Sequence, residues 1–130
     1  MENPPKIWDA VRRRWLVLTP EEWVRQHLIR LLVERGGVPP GNVSQEYPVA
    51  LSGAAQGRDG RPCLLAECKA PDVPLGREVF AQAVRYNSVV AAPYVLITNG
   101  LLHCCSSLDR STGRYAVVEG LPDLSPFLGI

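Results

Sequence analysis

The sequence predicts an α/β fold, a sandwich built around a mixed sheet. Three observations predict it: two segments with helical apolar spacing (20–35 and 75–90), short β-rich runs between and after them, and turn residues at the boundaries. The chain has 130 residues, 14 basic and 13 acidic, for a net charge of +1. One domain over 1–130 is therefore expected, with 1–18 as an N-terminal hairpin or arm. With 46% hydrophobic and 21% charged residues, a disordered tail, a collagen-like repeat and a supercharged nucleic-acid arm are excluded. A charge near zero removes any global pull toward a polyanion, so nucleic-acid binding would need a local site. The apolar runs fall short of the roughly 20 residues of a membrane span, so no membrane partner is expected. Four cysteines without an export-signal pattern point to a reducing, cytoplasmic setting.

Residues 7–11 and 15–18 alternate in polarity on either side of Arg12, Arg13 and Arg14, which fits a small hairpin. Its basic tip reads as a solvated turn, with phosphate contact as the alternative. Thr19, Pro20 and Glu22 form a helix start: a capping hydroxyl, a proline at the first position and a carboxylate three residues after the cap. The helix should run 20–35, with Val24, Leu28, Leu31 and Leu32 in one stripe and Gly36-Gly37 as the stop. On a helical wheel Glu21 projects within that stripe and Glu22 away from it. A strand is expected over 43–51 despite Pro48, then a turn-like stretch over 52–60. Residues 63–69 (CLLAECK) read as a buried strand. A helix follows over 75–90 with Val79, Phe80, Ala83 and Asn87 along one side. Strand 94–98 should turn at Asn99-Gly100 into 101–108, and a last strand is expected over 115–118.

The chemistry centres on Glu67 and Lys69. Strand side chains alternate with period two, so this carboxylate and ammonium share one face at the end of an apolar strand. There open α/β sheets bind ligands. The pair suits metal-assisted phosphodiester hydrolysis: Glu67 would hold a magnesium ion that activates water, and Lys69 would orient that water and stabilise the transition state. Gln82 and Tyr86, four apart and so on one helix face, are candidates to order the site and contact substrate.

Together these pieces resemble the PD-(D/E)XK nuclease superfamily, and specifically the N-terminal nuclease domain of type I restriction endonuclease R subunits, in a small stand-alone form. The resemblance runs from T-P-E-E-W-V-R-Q (19–26) through L-L-A-E-C-K-A-P (64–71) and Q-x-x-x-Y to Y-V-L-I-T-N-G (94–100). It implies a restriction-endonuclease-like αβββαβ core, a Mg2+ or Mn2+ cofactor, and DNA cleavage in a restriction, defence or repair setting. Glu67 and Lys69 match the family's E-x-K half-motif, Gln82 and Tyr86 its Q-x-x-x-Y, and Glu21, with Arg25, Leu28 and Ile29, its E-x-x-x-R-x-x-L-I spacing. On that basis Glu67, Lys69, Glu21 and Gln82 are the expected catalytic residues, Glu67 the metal ligand, and Gln82 and Tyr86 the DNA contacts.

One piece is missing. The family's metal-binding aspartate sits on a strand before the E-x-K strand, and this sequence has only Ser-Gly-Ala-Ala-Gln-Gly between Leu51 and Arg58. About seven residues of a typical strand are expected to be absent between Gln56 and Gly57, leaving the edge of 63–69 exposed. Either the chain is a degenerate nuclease that binds or scaffolds, or a segment is missing, or Asp59 or Glu46 is recruited as a substitute ligand. The alternative function is accordingly a non-catalytic module of the same fold that binds DNA or docks onto restriction or repair subunits, with a homo-oligomer left open. Cys63, Cys68, Cys104 and Cys105 have neither C-x-x-C nor zinc spacing and read as small buried thiols, and His27 and His103 as packing or surface residues.

Overall fold

In the computed structural model, residues 4–9, 12–47 and 51–129 are described, with the backbone alone at 45–47 and 51–52. The two apolar pieces around the arginine run pair as an antiparallel hairpin of β1 (Lys6–Asp9) and β2 (Arg14–Val17). Asp9 is buried in it, its carboxylate accepting the Arg12 backbone N–H at 3.0 Å and lying 3.6 Å from the Arg12 guanidinium. The hairpin leads directly into α1 (Pro20–Glu34), where Thr19 Oγ1 accepts the Glu22 N–H at 3.1 Å as the expected cap.

Six strands form the main sheet in chain order: β3 (Val43–Tyr47), β4 (Leu51–Gln56), β5 (Pro62–Cys68), β6 (Tyr94–Thr98), β7 (His103–Asp109) and β8 (Arg114–Val118). Every neighbouring pair is antiparallel except β5 and β6, which are parallel because α2 (Arg77–Val90) crosses between them. No helix among the described residues is long and apolar enough to cross a membrane.

The stretch expected to be a turn, 52–60, is mostly strand. β4 pairs with β3 on one side and β5 on the other, so the strand expected to be absent is in place and β5 is paired along both edges. Pro48, placed inside a strand by the sequence, lies outside the described residues. Ser-Gly-Ala-Ala looked like a loop because these residues have weak strand preference. Here their small size is the requirement. Ala54 and Ala55 are buried on opposite faces of the sheet, and a Cβ on Gly53 would meet the Ser44 carbonyl at 3.1 Å.

Core packing follows the alternation along β5. Leu64, Ala66 and Cys68 face α1 and join Val24, Leu28, Ile29 and Leu32. Leu65 faces α2, beside Tyr86 and Val90, and on β6 Val95 and Ile97 meet Ala83, Val79 and Phe80. The turn after β6 is longer than the two residues Asn99-Gly100 suggested. Asn99 Oδ1 accepts the N–H groups of Leu101 and Leu102, both at 2.9 Å, and Thr98 pairs with His103, so four residues close the loop with Gly100 at φ +86°. A short helix not read from the sequence is α3 (Ser125–Leu128); its Phe127 carbonyl accepts the Arg58 N–H at 2.7 Å, and the Phe127 ring stands edge-on against Tyr94.

Ala55 tests the reassignment of β4. Ala55→Leu forces three extra carbons against the α1 side of the core and should lower stability in urea by about 1–3 kcal/mol. A solvent-facing turn at this place would tolerate it within about 0.5 kcal/mol.

Candidate functional site

Parallel β5 and β6 end side by side, and the E-x-K residues sit at that end. The Glu67 backbone pairs with Ile97, and the Lys69 N–H extends the ladder to the Thr98 carbonyl at 2.8 Å. Asn99 ties in the following loop by donating to the Val73 carbonyl at 2.9 Å. Alternation from Leu65 places Glu67 and Lys69 on the α2 face. Lys69 Nζ lies 3.5 Å from Glu67 Oε1, with Glu67 buried and Lys69 mostly covered. The sequence-predicted pair is thus brought together as an ion pair in a desolvated place, where each charge depends on the other.

Gln82 and Tyr86 also meet: Gln82 Nε2 donates to Tyr86 Oη at 3.1 Å. The Tyr86 ring packs against the cluster of Ala54, Leu65 and Ala92, on the same face of β5 as Glu67.

Glu21 lies on the helix that covers the opposite face. Its Oε1 accepts from Arg25 Nη2 at 3.0 Å, and Arg25 also pairs with Glu22. The wheel's assignment of these two acids is reversed in the structure: the Glu21 side chain is 47% exposed and that of Glu22 12%. A wheel gives direction and not depth. Glu21 stands in the first turn, where pointing toward the stripe does not ensure cover. Glu22 is folded along the helix instead, accepting from Gln26 Nε2 at 2.8 Å as well as pairing with Arg25. Arg25, which the sequence marked only as part of a spacing, is therefore the organiser of this cluster. Its signal was two acids three and four residues upstream on a helix.

Between the two charged groups sits Cys68, whose thiol burial pushes up to about 12. Arg25 draws it down, and Glu67, Glu21 and Glu22 add to the rise. It is held as a neutral thiol at physiological pH. Cys63 and Cys105 are also buried and raised, chiefly by burial, whereas Cys104 is exposed, unlike the sequence expectation for all four. His27 and His103 are both exposed. His27 Nδ1 lies 2.7 Å from the Trp23 carbonyl, and His103 Nδ1 2.7 Å from Thr98 Oγ1.

Among the described side chains the donor set does not fit a magnesium ion. β4, the strand beside Glu67, carries no acidic residue in Leu51–Gln56, and continuing its Gly53–Ala66 register by one step sets Ser52 opposite Glu67. Asp59, the first proposed substitute, is exposed in the turn at the other end of β5 and accepts the Arg61 N–H at 2.9 Å. Five residue steps along β5 from Pro62 to Glu67 put it about 17 Å away. Glu46, the second, is on β3, one strand beyond β4, and its side chain is outside the described residues. Among the described residues no three of His, Cys, Asp and Glu come together to hold a metal. Magnesium sheds water reluctantly and relies on carboxylates, and here the Glu67 carboxylate is already balanced by Lys69.

A helix, three strands, a second helix and a strand, with E-x-K at the end of the third strand, define a mixed α/β domain. Residues 20–122 match the family model described as the type I restriction enzyme R protein N terminus, and the chain belongs to that family. Its context is therefore a restriction system. No curated protein and no solved structure matches the chain.

Breaking the ion pair from one side should cost more than removing it. Lys69→Ala leaves the buried Glu67 carboxylate without its ammonium and should lower stability by about 1–3 kcal/mol in urea denaturation. The double variant Glu67→Gln/Lys69→Ala should recover part of that loss, and strict additivity of the two changes would show that the pair is not coupled.

Proposed function

We propose that this chain is a PD-(D/E)XK-type domain of a restriction system that retains the E-x-K half of its site but not the metal-binding half, and that it binds DNA without hydrolysing it. The observation that carries this reading is β4: it runs beside β5 up to the Glu67 end and brings no carboxylate. Hydrolysis of a phosphodiester on this plan needs a divalent ion to polarise phosphate and activate water. A single carboxylate paired to a lysine offers such an ion a site of net zero charge. In this reading Glu67 and Lys69 keep the end of β5 in shape, and Gln82 and Tyr86, half-buried on α2 above the same face, contribute to the DNA-facing surface. Glu21 serves the Arg25 cluster rather than the reaction.

Supercoiled plasmid incubated with the purified chain and Mg2+ or Mn2+ should remain uncut, with EDTA making no difference. Duplex DNA should show a mobility shift that disappears at high salt and is unchanged by Glu67→Ala. Ser52→Asp should restore a two-carboxylate pair and give a Mn2+-dependent rise in melting temperature that the native chain lacks. Metal-dependent nicking by the native chain, abolished by Glu67→Ala, would overturn the proposal. Absence of any duplex shift would replace DNA binding with docking onto another restriction subunit.

A further inference from the structure

The N-terminal hairpin has two unlike faces. Strand alternation puts Ile7, Asp9, Arg14 and Leu16 on the inner face, with Asp9 fully buried, and Lys6, Trp8, Trp15 and Val17 on the outer face. Trp8 and Trp15 are cross-strand partners whose ring centroids lie 5.3 Å apart with planes at 63°. They are 38% and 63% exposed, and Val17 52%. Two tryptophans meeting edge to face cover at most one face of one ring, so flat aromatic surface stays open to solvent.

Charge is concentrated on the same element. Residues 4–18 carry four cations, Lys6, Arg12, Arg13 and Arg14, against one carboxylate, Asp9, while the whole chain is only +1. Asp9 is buried and ion-paired with Arg12; Lys6 shares the outer face with the rings, Arg13 is exposed in the turn, and Arg14, also exposed, stands opposite Asp9 on the other face. The hairpin is rooted one residue before Thr19, the cap of α1, and the first turn of α1 lies by Cys68 at the E-x-K end of the sheet.

We propose that the outer face of this hairpin is a platform for single-stranded nucleic acid, with bases stacking on Trp15 and Trp8 and phosphates held by Lys6 and Arg13. Exposed aromatic planes within reach of cations take a flexible strand without reading its sequence, because every base offers a π-face. A purely apolar protein partner would be opposed by the charges of Lys6 and Arg13. The platform is built by the hairpin alone and does not require the E-x-K end.

The test uses the full chain and dye-labelled oligo(dT) of twenty nucleotides, read by anisotropy, with tryptophan emission as a second signal in a Trp23→Phe background. Saturable binding with quenching of the hairpin tryptophans is expected. Trp15→Ala should weaken it about ten- to a hundredfold, and Trp15→Phe should restore most of it. Lys6→Glu/Arg13→Glu should weaken it further and flatten its salt dependence by about 0.7 logarithmic units for each phosphate no longer engaged. Far-ultraviolet circular dichroism confirms that each variant is folded. Failure of oligo(dT) to bind at low salt, or binding that ignores both Trp15→Ala and the charge reversal, would overturn the inference. So would a dimer broken by Trp15→Ala that oligo(dT) does not dissociate, since the face would then be a protein interface. A chain that shifts duplex but ignores oligo(dT) defeats this inference alone, and the converse result defeats only the preceding proposal.

Discussion

A strand covered on both faces and charged only at its end sets the terms for this molecule. β5 sends Leu64, Ala66 and Cys68 to one helix and Leu65 to the other, and the same alternation delivers Glu67 and Lys69 to the α2 face. Burial makes the two charges depend on each other, since a carboxylate this far from water needs a nearby cation. It also separates them from the acids of α1. Glu21 and Glu22 belong to Arg25 on the helix covering the opposite face, with the neutral Cys68 thiol between the groups. Among the described side chains the charges therefore form two ion-paired clusters divided by one strand.

Much of this was readable from residue order. The cap at Thr19, the helix after it, the apolar β5 with its E-x-K end, and the Val79, Phe80, Ala83 and Asn87 side of α2 follow from hydrophobic period and terminal residues, which are local signals. The misreadings arose where tertiary context decides. Ser-Gly-Ala-Ala in β4 has the composition of a loop, and only its pairing on both sides makes it a strand. The depth of Glu21 and Glu22 depends on what lies opposite the first turn of α1, which a wheel does not contain. The loop after β6 is set by Asn99 accepting two backbone N–H groups rather than by a two-residue hairpin turn.

The reassignment of β4 changes the chemical question. A missing strand would have left β5 with an open edge and an incomplete sheet. A complete sheet with no acidic residue on β4 is a different object, because the fold is intact and the question becomes which groups surround Glu67. Small residues in β4 let α1 and α2 approach the sheet closely, and the demands of that close packing fall on side-chain size rather than on backbone pairing. The backbone register sets Ser52, an uncharged residue, opposite Glu67.

Calorimetric titration of Mn2+ into the native chain at low ionic strength tests most directly whether two closed ion-paired clusters leave any room for a dication. No saturable heat is expected up to millimolar metal, with Glu67→Gln giving the same trace. A stoichiometric site of micromolar affinity that Glu67→Gln removes would contradict this picture of the E-x-K end.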